Sequence, residues 1–483
     1  MPIQNETSPL VVLNLPDPAP ATGPIQTCSA GLADGPWLHD AEPGYGPGAS
    51  IADPLPAAAP RQGLIPLEYR RASPAELDLR IRAARHALGD RVVLLGHFYQ
   101  RDEIVQYADF VGDSFQLAQA ARTKPNAEAI VFCGVHFMAE TADILARPEQ
   151  AVILPNLAAG CSMADMADID TVQDCWEELT ALYGDRNTAA AANSATAITT
   201  NDPSTDLSFL PKDAPLHRAS AAEKPASSSD PADVSNISRV PVLPVTYMNS
   251  AANLKAFCGE NGGVVCTSSN ADRVLRWAFE RGERVLFFPD QHLGRNTGVA
   301  MGIPLDEMVV WHPDQPLGGN TPEQLQRAKI ILWHGFCSVH KRFTVDQIGM
   351  ARQRHPGVRV IVHPECTMEV VNAADEAGST DYIRKAVQAA TEPTTFAIGT
   401  EINLVQRLAK EHPQHTIFCL DSIVCPCSTM YRIHPSYLAW VLESLERGEV
   451  LNRITVPEQI AAPARIALER MLALAPQSQA TGR

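Results

Sequence analysis

A recurrence constrains the fold of this chain more than any other feature. Three apolar, strand-like runs each open onto polar residues: Gly96-His97-Phe98-Tyr99, Thr246-Tyr247-Met248-Asn249 and Val362-His363-Pro364-Glu365. Each is followed by a small hydroxylated turn: Gly112-Asp113-Ser114, Cys266-Thr267-Ser268-Ser269 and Gly378-Ser379-Thr380. The offsets are 17 residues from His97 to Ser114, 17 from His363 to Thr380 and 21 from Tyr247 to Ser268. The longer middle spacing is absorbed by the loop Gly259-Glu260-Asn261-Gly262-Gly263. A third strand follows in each copy, near Val131, Phe287 and Ala397. Such a chain reads as three related α/β units with small parallel sheets. Open α/β sheets present ligands at the carboxyl ends of their strands. The three sets of polar loops are therefore expected to line one central pocket.

The flanks set the boundaries. Residues 1–72 are rich in Pro, Ala and Gly and hold no Lys or Arg before Arg61, so they read as a disordered extension without a basic targeting signal. The folded part is expected from Ser73-Pro74-Ala75-Glu76, a serine cap with proline at the first helical position and glutamate at the third. The first α/β unit spans 73–165, the second 166–345 and the third 346–475. Within the second, residues 185–239 are Ala, Ser, Thr, Asn, Asp and Pro with few large apolar side chains, and read as a disordered insertion.

Charge and cysteine usage exclude several classes. Lys and Arg total 39 against 55 Asp and Glu, a formal charge of −16, which disfavours nucleic acid and anionic membranes as partners. No apolar run approaches the roughly 20 residues that span a bilayer. Eleven cysteines in a long chain do not suit a secreted disulfide scaffold. They suit a reducing, cytoplasmic setting in which thiols bind metal or pack.

Three thiol positions sit where strands end. Cys133 follows Ala129-Ile130-Val131-Phe132. Cys337 lies in Trp333-His334-Gly335-Phe336-Cys337-Ser338-Val339-His340, after Ile330-Ile331-Leu332. Cys425-Pro426-Cys427 follows the run from Thr416 to Val424. One thiolate from each position would suit a [4Fe–4S] cluster with one iron left open, a Lewis acid for substrate oxygen. Spacing leaves open whether Cys425 or Cys427 serves. Cys161 reads as a helix cap or a pocket-lining residue, and the remaining cysteines as structural. His97 and His363 are placed to bind carboxylate or carbonyl oxygen, and Glu365 to act as a base. Tyr247 and Asn249 alternate with Met248 and so share one face. Ser114, Ser268 and Thr380 precede helices, where hydroxyls hold anions. The rival readings are a non-catalytic iron–sulfur protein, an electron carrier or redox sensor, against which the anion-binding hydroxyls and two imidazoles argue, and a zinc hydrolase with Cys/His ligands, which its metal content would tell apart.

These motifs resemble the quinolinate synthase family of NAD biosynthesis over about residues 73–460 apart from the insertion. The resemblance rests on the segments quoted above and on Gly160-Cys161-Ser162-Met163-Ala164-Asp165, Pro289-Asp290-Gln291-His292-Leu293-Gly294 and His363-Pro364-Glu365-Cys366. It implies three homologous three-layer α/β/α domains in pseudo-threefold arrangement around one [4Fe–4S] cluster. It implies Cys133, Cys337 and Cys427 as the ligands, the last because a methionine, Met430, follows three residues later. The implied transferase reaction condenses iminoaspartate with dihydroxyacetone phosphate, releasing phosphate and two waters. Ser114, Ser268, Thr380, Asn249 and the histidines His97 and His363 would bind substrate, Glu365 would be the base, and Tyr99 or Tyr247 would carry protons. L-aspartate oxidase, which makes iminoaspartate, is the implied protein partner.

Overall fold

The computed structural model describes residue 62 and residues 64–474 except 123, 125, 185–238 and 422–425. Most of the expected extension, nearly all of the expected insertion, and Cys425 lie outside the described residues.

Three sheets organise the chain. The first holds β1 (Val92–His97), β2 (Phe110–Gly112), β3 (Ala129–Cys133) and β4 (Ala151–Ile153). The second holds β5 (Val240–Tyr247), β6 (Val264–Cys266), β7 (Gly282–Phe288), β8 (Met308–Trp311) and β9 (Ile330–Trp333). The third holds β10 (Arg359–Val362), β11 (Glu376–Ala377), β12 (Thr395–Gly399) and β13 (Thr416–Cys419). All pairings among these thirteen strands are parallel. Helices between the strands cover both faces, so the strands read as continuous apolar runs rather than alternating ones; every residue of β1 and of β3 is buried.

The three sheets share an order. It is β2-β1-β3-β4 in the first, β6-β5-β7-β9 in the second and β11-β10-β12-β13 in the third, with β8 added at the edge of the second. The order in which strands are added reverses between the first and third strands of each unit. Ligands of doubly wound sheets sit at that switch point. There the loops after β1, β5 and β10 meet those after β3, β7 and β12.

The body begins earlier than Ser73. A helix at Leu67–Arg71 precedes it, with Tyr69 buried and its hydroxyl donating to Glu443 Oε2 at 2.7 Å. The next helix, Pro74–Leu88, starts as its sequence dictates: Ser73 Oγ accepts from the Glu76 amide, Pro74 occupies the first turn, and Gly89 ends it at φ 52°. The far end of the chain also turns back. Strand β14 (Arg453–Ile454), inside the span assigned to the third unit, pairs antiparallel with β4 of the first sheet. The final helix, Glu458–Ala473, packs on Ala252–Glu260 of the second unit so closely that a Cβ on Gly259 would lie 1.9 Å from the Pro463 carbonyl oxygen. Both excursions bury apolar side chains that a third unit alone would expose, among them Leu468 and Met471.

Candidate active site

The three units meet at a cavity whose empty space, about 660 Å³, includes part of the open solvent at its mouth. The first unit contributes His97, Tyr99 and Ser114; the second Tyr247, Asn249, Ser268 and Cys337; the third His363, Glu365, Thr380 and Cys427. Of the residues expected at the site, Cys133 alone is absent from the lining.

Two loops repeat one local geometry. The Tyr99 amide donates to His97 Nδ1 at 3.1 Å, and the Glu365 amide donates to His363 Nδ1 at 3.4 Å. Both imidazoles are fully buried, and burial holds each at a pKa of about 3, with Arg407 adding to the effect at His97 and His340 and His97 at His363. They are therefore neutral at ordinary pH. With Nδ1 accepting, the proton sits on Nε2. Each ring offers the cavity an N–H donor for carboxylate or carbonyl oxygen.

Glu365 joins the second unit to the third. Tyr247 Oη donates to Oε1 at 2.6 Å, and His340 Nδ1 lies 2.7 Å from Oε2. Burial pushes this carboxyl up, but His363, His340 and the Tyr247 hydroxyl outweigh it and hold it below the ordinary carboxylate range. An ionised carboxylate only accepts, so His340 Nδ1 carries the proton. Its Nε2 then faces Thr400 Oγ1 at 3.2 Å and Tyr99 Oη at 3.5 Å, and these two hydroxyls are 2.8 Å apart. A continuous hydrogen-bonded chain runs Tyr247–Glu365–His340–Thr400–Tyr99. His340 and Thr400 were not picked out by sequence reasoning as acid–base partners. The signal for His340 was its place three residues beyond Cys337.

Two of the three hydroxyls expected as helix caps, Ser114 and Thr380, are free for another reason, while the Ser268 side chain is hydrogen-bonded to Tyr247. The caps are Asp113 and Ser379, whose side chains accept from Gln116 and Tyr382 amides. Ser114 and Thr380 are the first helical residues, and no hydrogen bond within the protein engages either hydroxyl among the described residues. Asn249 also lines the cavity, with its buried Oδ1 unpartnered. The site thus holds spare polar atoms waiting for a polar ligand.

The expected thiols do not all reach the cavity. Cys133 ends β3 inside the hydrophobic core, fully buried, and burial lifts it to about 12. The residues after it that reach the cavity are apolar: Val135, Phe137 and Met138. Cys161 lines the cavity instead, with Cys337 and Cys427. These three thiols feel one another electrostatically; Cys133 feels none of them. Their local structures match. Each follows the strand beside the third of its unit: β4, β9 or β13. Each carbonyl accepts from the amide four residues on, Asp165 at 3.1 Å, Lys341 at 3.0 Å and Tyr431 at 3.0 Å. Each is followed three residues later by a 3₁₀ turn, Ala164–Met166, His340–Arg342 or Met430–Arg432, and seven residues later by the capping residue of a helix, Asp168, Thr344 or His434. The same spacing is present in the sequence and would have singled out Cys161.

The donor set fits a cluster. Burial is the largest influence on all three thiols and raises each above the ordinary thiol range. Thiols so placed become thiolates only when a metal takes up the charge. Cys337 Sγ, one nitrogen of His340 and one oxygen of Glu365 also lie within 4.8 Å of one another, close enough to share an ion.

Fold and site define an α/β protein whose acid–base groups and three cavity-facing thiols come from three separate sheets, the arrangement of an enzyme with one shared active-site cavity. Comparison with known proteins makes this specific. The family model described as quinolinate synthetase A protein matches residues 80–303 and 298–473. The quinolinate synthase of Corynebacterium glutamicum is 61% identical over 437 residues, 90% of this chain and 97% of that one. Those of Streptomyces coelicolor and Geobacillus kaustophilus are 50% and 47% identical, over 83% and 85% of this chain and 90% and 97% of theirs. The chain belongs to the quinolinate synthase family of NAD biosynthesis. No helix among the described residues is long and apolar enough to cross a membrane.

Proposed function

We propose that this chain condenses iminoaspartate with dihydroxyacetone phosphate to quinolinate, phosphate and two waters, in the cytoplasm, as a transferase holding a [4Fe–4S] cluster on Cys161, Cys337 and Cys427. The observation that carries the reading is the coincidence in one cavity of three matched thiols with the chain Tyr247–Glu365–His340–Thr400–Tyr99. A cluster on three thiolates leaves one iron without a protein ligand, and that iron supplies a Lewis acid for loss of hydroxyl.

The residues do the rest. The two carboxylates of iminoaspartate are bound by the Nε2–H groups of His97 and His363 and by the hydroxyls of Ser114, Ser268 and Thr380. Asn249, with its spare oxygen, takes a donor from substrate. Glu365 is the base for enolisation and imine formation, since it is ionised and buried. Tyr247 and His340 orient the carboxylate by donating to its two oxygens, and His340, accepting at Nε2, is joined through Thr400 to Tyr99. Phosphate departs from an acidic protein, so these neutral N–H and O–H donors matter more than net charge. Iminoaspartate is made by L-aspartate oxidase, the protein partner in this reading.

The test is an anaerobic preparation assayed for quinolinate from the two substrates and analysed for metal. About four irons and four sulfides per chain with quinolinate formation is the expected result. The nearness of Cys337, His340 and Glu365 favours a second reading, one divalent ion held by those three. One zinc per chain and no sulfide would establish it and overturn the cluster.

A further inference from the structure

The loop carrying His97 and Tyr99 belongs to the first unit, yet the third unit holds it. The helix Ile402–Glu411 lies against it. Arg407 Nη1 donates to the Phe98 carbonyl at 2.9 Å, Asn403 Nδ2 to the Tyr99 carbonyl at 3.2 Å, and Arg407 Nη2 to the Gln100 carbonyl. Three successive carbonyls are thus taken by two side chains of one helix. Arg407 Nε also donates to Asp102 Oδ1 at 2.9 Å, beside Lys410 on the other oxygen at 2.5 Å. The arginine is itself mostly buried, with 11% of its side chain exposed. The same helix turn reaches the thiols. The Asn403 carboxamide donates to Glu401 Oε1 at 2.9 Å, and that oxygen also accepts from the Cys427 amide at 3.2 Å. The preceding residue is Thr400, partner of the Tyr99 hydroxyl.

The geometry points to Arg407, with Asn403, as the positioning residues of the site: they lock the His97–Tyr99 loop to the loop of Cys427, so that substrate-binding imidazole, proton-carrying phenol and thiol keep one register. This inference rests on the function proposed above. Loops are the mobile parts of α/β sites, and misplacement by about 1 Å costs roughly 100-fold in rate. Backbone carbonyls buried in such a loop need partners, and a rigid guanidinium fork meets two of them at a fixed spacing that a single ammonium nitrogen does not reproduce. Arg407 also acts through charge. The groups around His97 are Tyr99 on its own loop, Glu365 and His363 from the third unit, and Arg407; Glu365 favours the imidazolium, whereas Arg407 and burial oppose it.

The experiment compares Arg407→Gln, Arg407→Lys and Asn403→Ala in the cluster-loaded protein. Hydrogen–deuterium exchange of the 97–101 amides reads the loop without reference to the reaction. Exchange at least ~10-fold faster in Arg407→Gln, with iron content unchanged, is expected. In turnover, kcat should fall at least ~10-fold in Arg407→Gln, and the acid limb of its rate–pH profile should move to higher pH because an opposing positive charge is gone. Arg407→Lys should keep the limb in place and recover part of kcat. Asn403→Ala should lower kcat with the limb unmoved. Unchanged exchange and an unchanged limb in Arg407→Gln would overturn the proposal. If wild type makes no quinolinate, the proposed reaction fails by itself, and the exchange result still decides whether Arg407 holds the loop.

Discussion

The Tyr247 hydroxyl donates to Glu365 at 2.6 Å across the boundary between the second and third sheets. Neither residue has meaning as an acid or base without the other, because a buried carboxylate is tolerated only when its oxygens are taken. Oε1 is taken by Tyr247 and Oε2 by His340, and the pair fixes the head of a hydrogen-bonded chain whose tail is in the first unit.

Replacing Glu365 by Gln keeps the shape of this contact and removes the base. Turnover should drop at least ~100-fold, the range expected for loss of a positioned general base. Iron and sulfide content should match wild type. Steady-state quinolinate formation beside metal analysis checks both, and an unchanged kcat would remove Glu365 from the chemistry.

The thiol assignment is tested by a pair of single replacements. Cys161→Ser should lose the iron and the visible absorption of the cluster, whereas Cys133→Ser should retain both, at the modest stability cost of a buried polar swap, about 1–3 kcal/mol. The reverse pattern would restore Cys133 as the ligand of the first unit.

Acid should destabilise the protein partly through His97. Its folded pKa is about 3, below the ordinary value near 6.5 that it recovers on unfolding. Between those values the unfolded chain binds a proton that the folded chain refuses, so stability falls as pH falls through that window, by up to about 1.4 kcal/mol per pH unit. Asp113, raised to about 6, and Glu401, raised to about 7, act in the opposite sense. The comparison is therefore with His97→Gln, whose thermal midpoint should decline less steeply than that of wild type from about pH 6.5 to about pH 5. Parallel curves would mean that His97 binds its proton equally in the folded and unfolded states.

Two helical glycines should respond oppositely to alanine. Gly259→Ala drives a methyl into the Pro463 carbonyl, 1.9 Å away, and should cost about 1–3 kcal/mol as the last helix is pushed off the second unit. Gly349, inside the helix Val345–Arg354, meets nothing within 4 Å, and its alanine variant should gain about 0.5–1 kcal/mol. Denaturant midpoints of the two variants give the signs directly.

Sequence alone determined the parallel α/β units, the polar strand ends and most of the cavity lining. Each of these depends on local pattern: an apolar run, a polar loop residue, a hydroxyl at a fixed offset. The serine cap at Ser73 was legible for the same reason. Tertiary structure decided what depends on which segments meet. It placed Cys161 rather than Cys133 in the cavity, because a strand end and a loop after the next strand look alike until the sheet order sets which one reaches the centre. It joined His340 to Glu365 and Arg407 to the His97 loop across 25 and about 310 residues of chain. It returned the last helix to Gly259, because apolar faces seek the nearest unfilled surface, whatever its distance along the sequence.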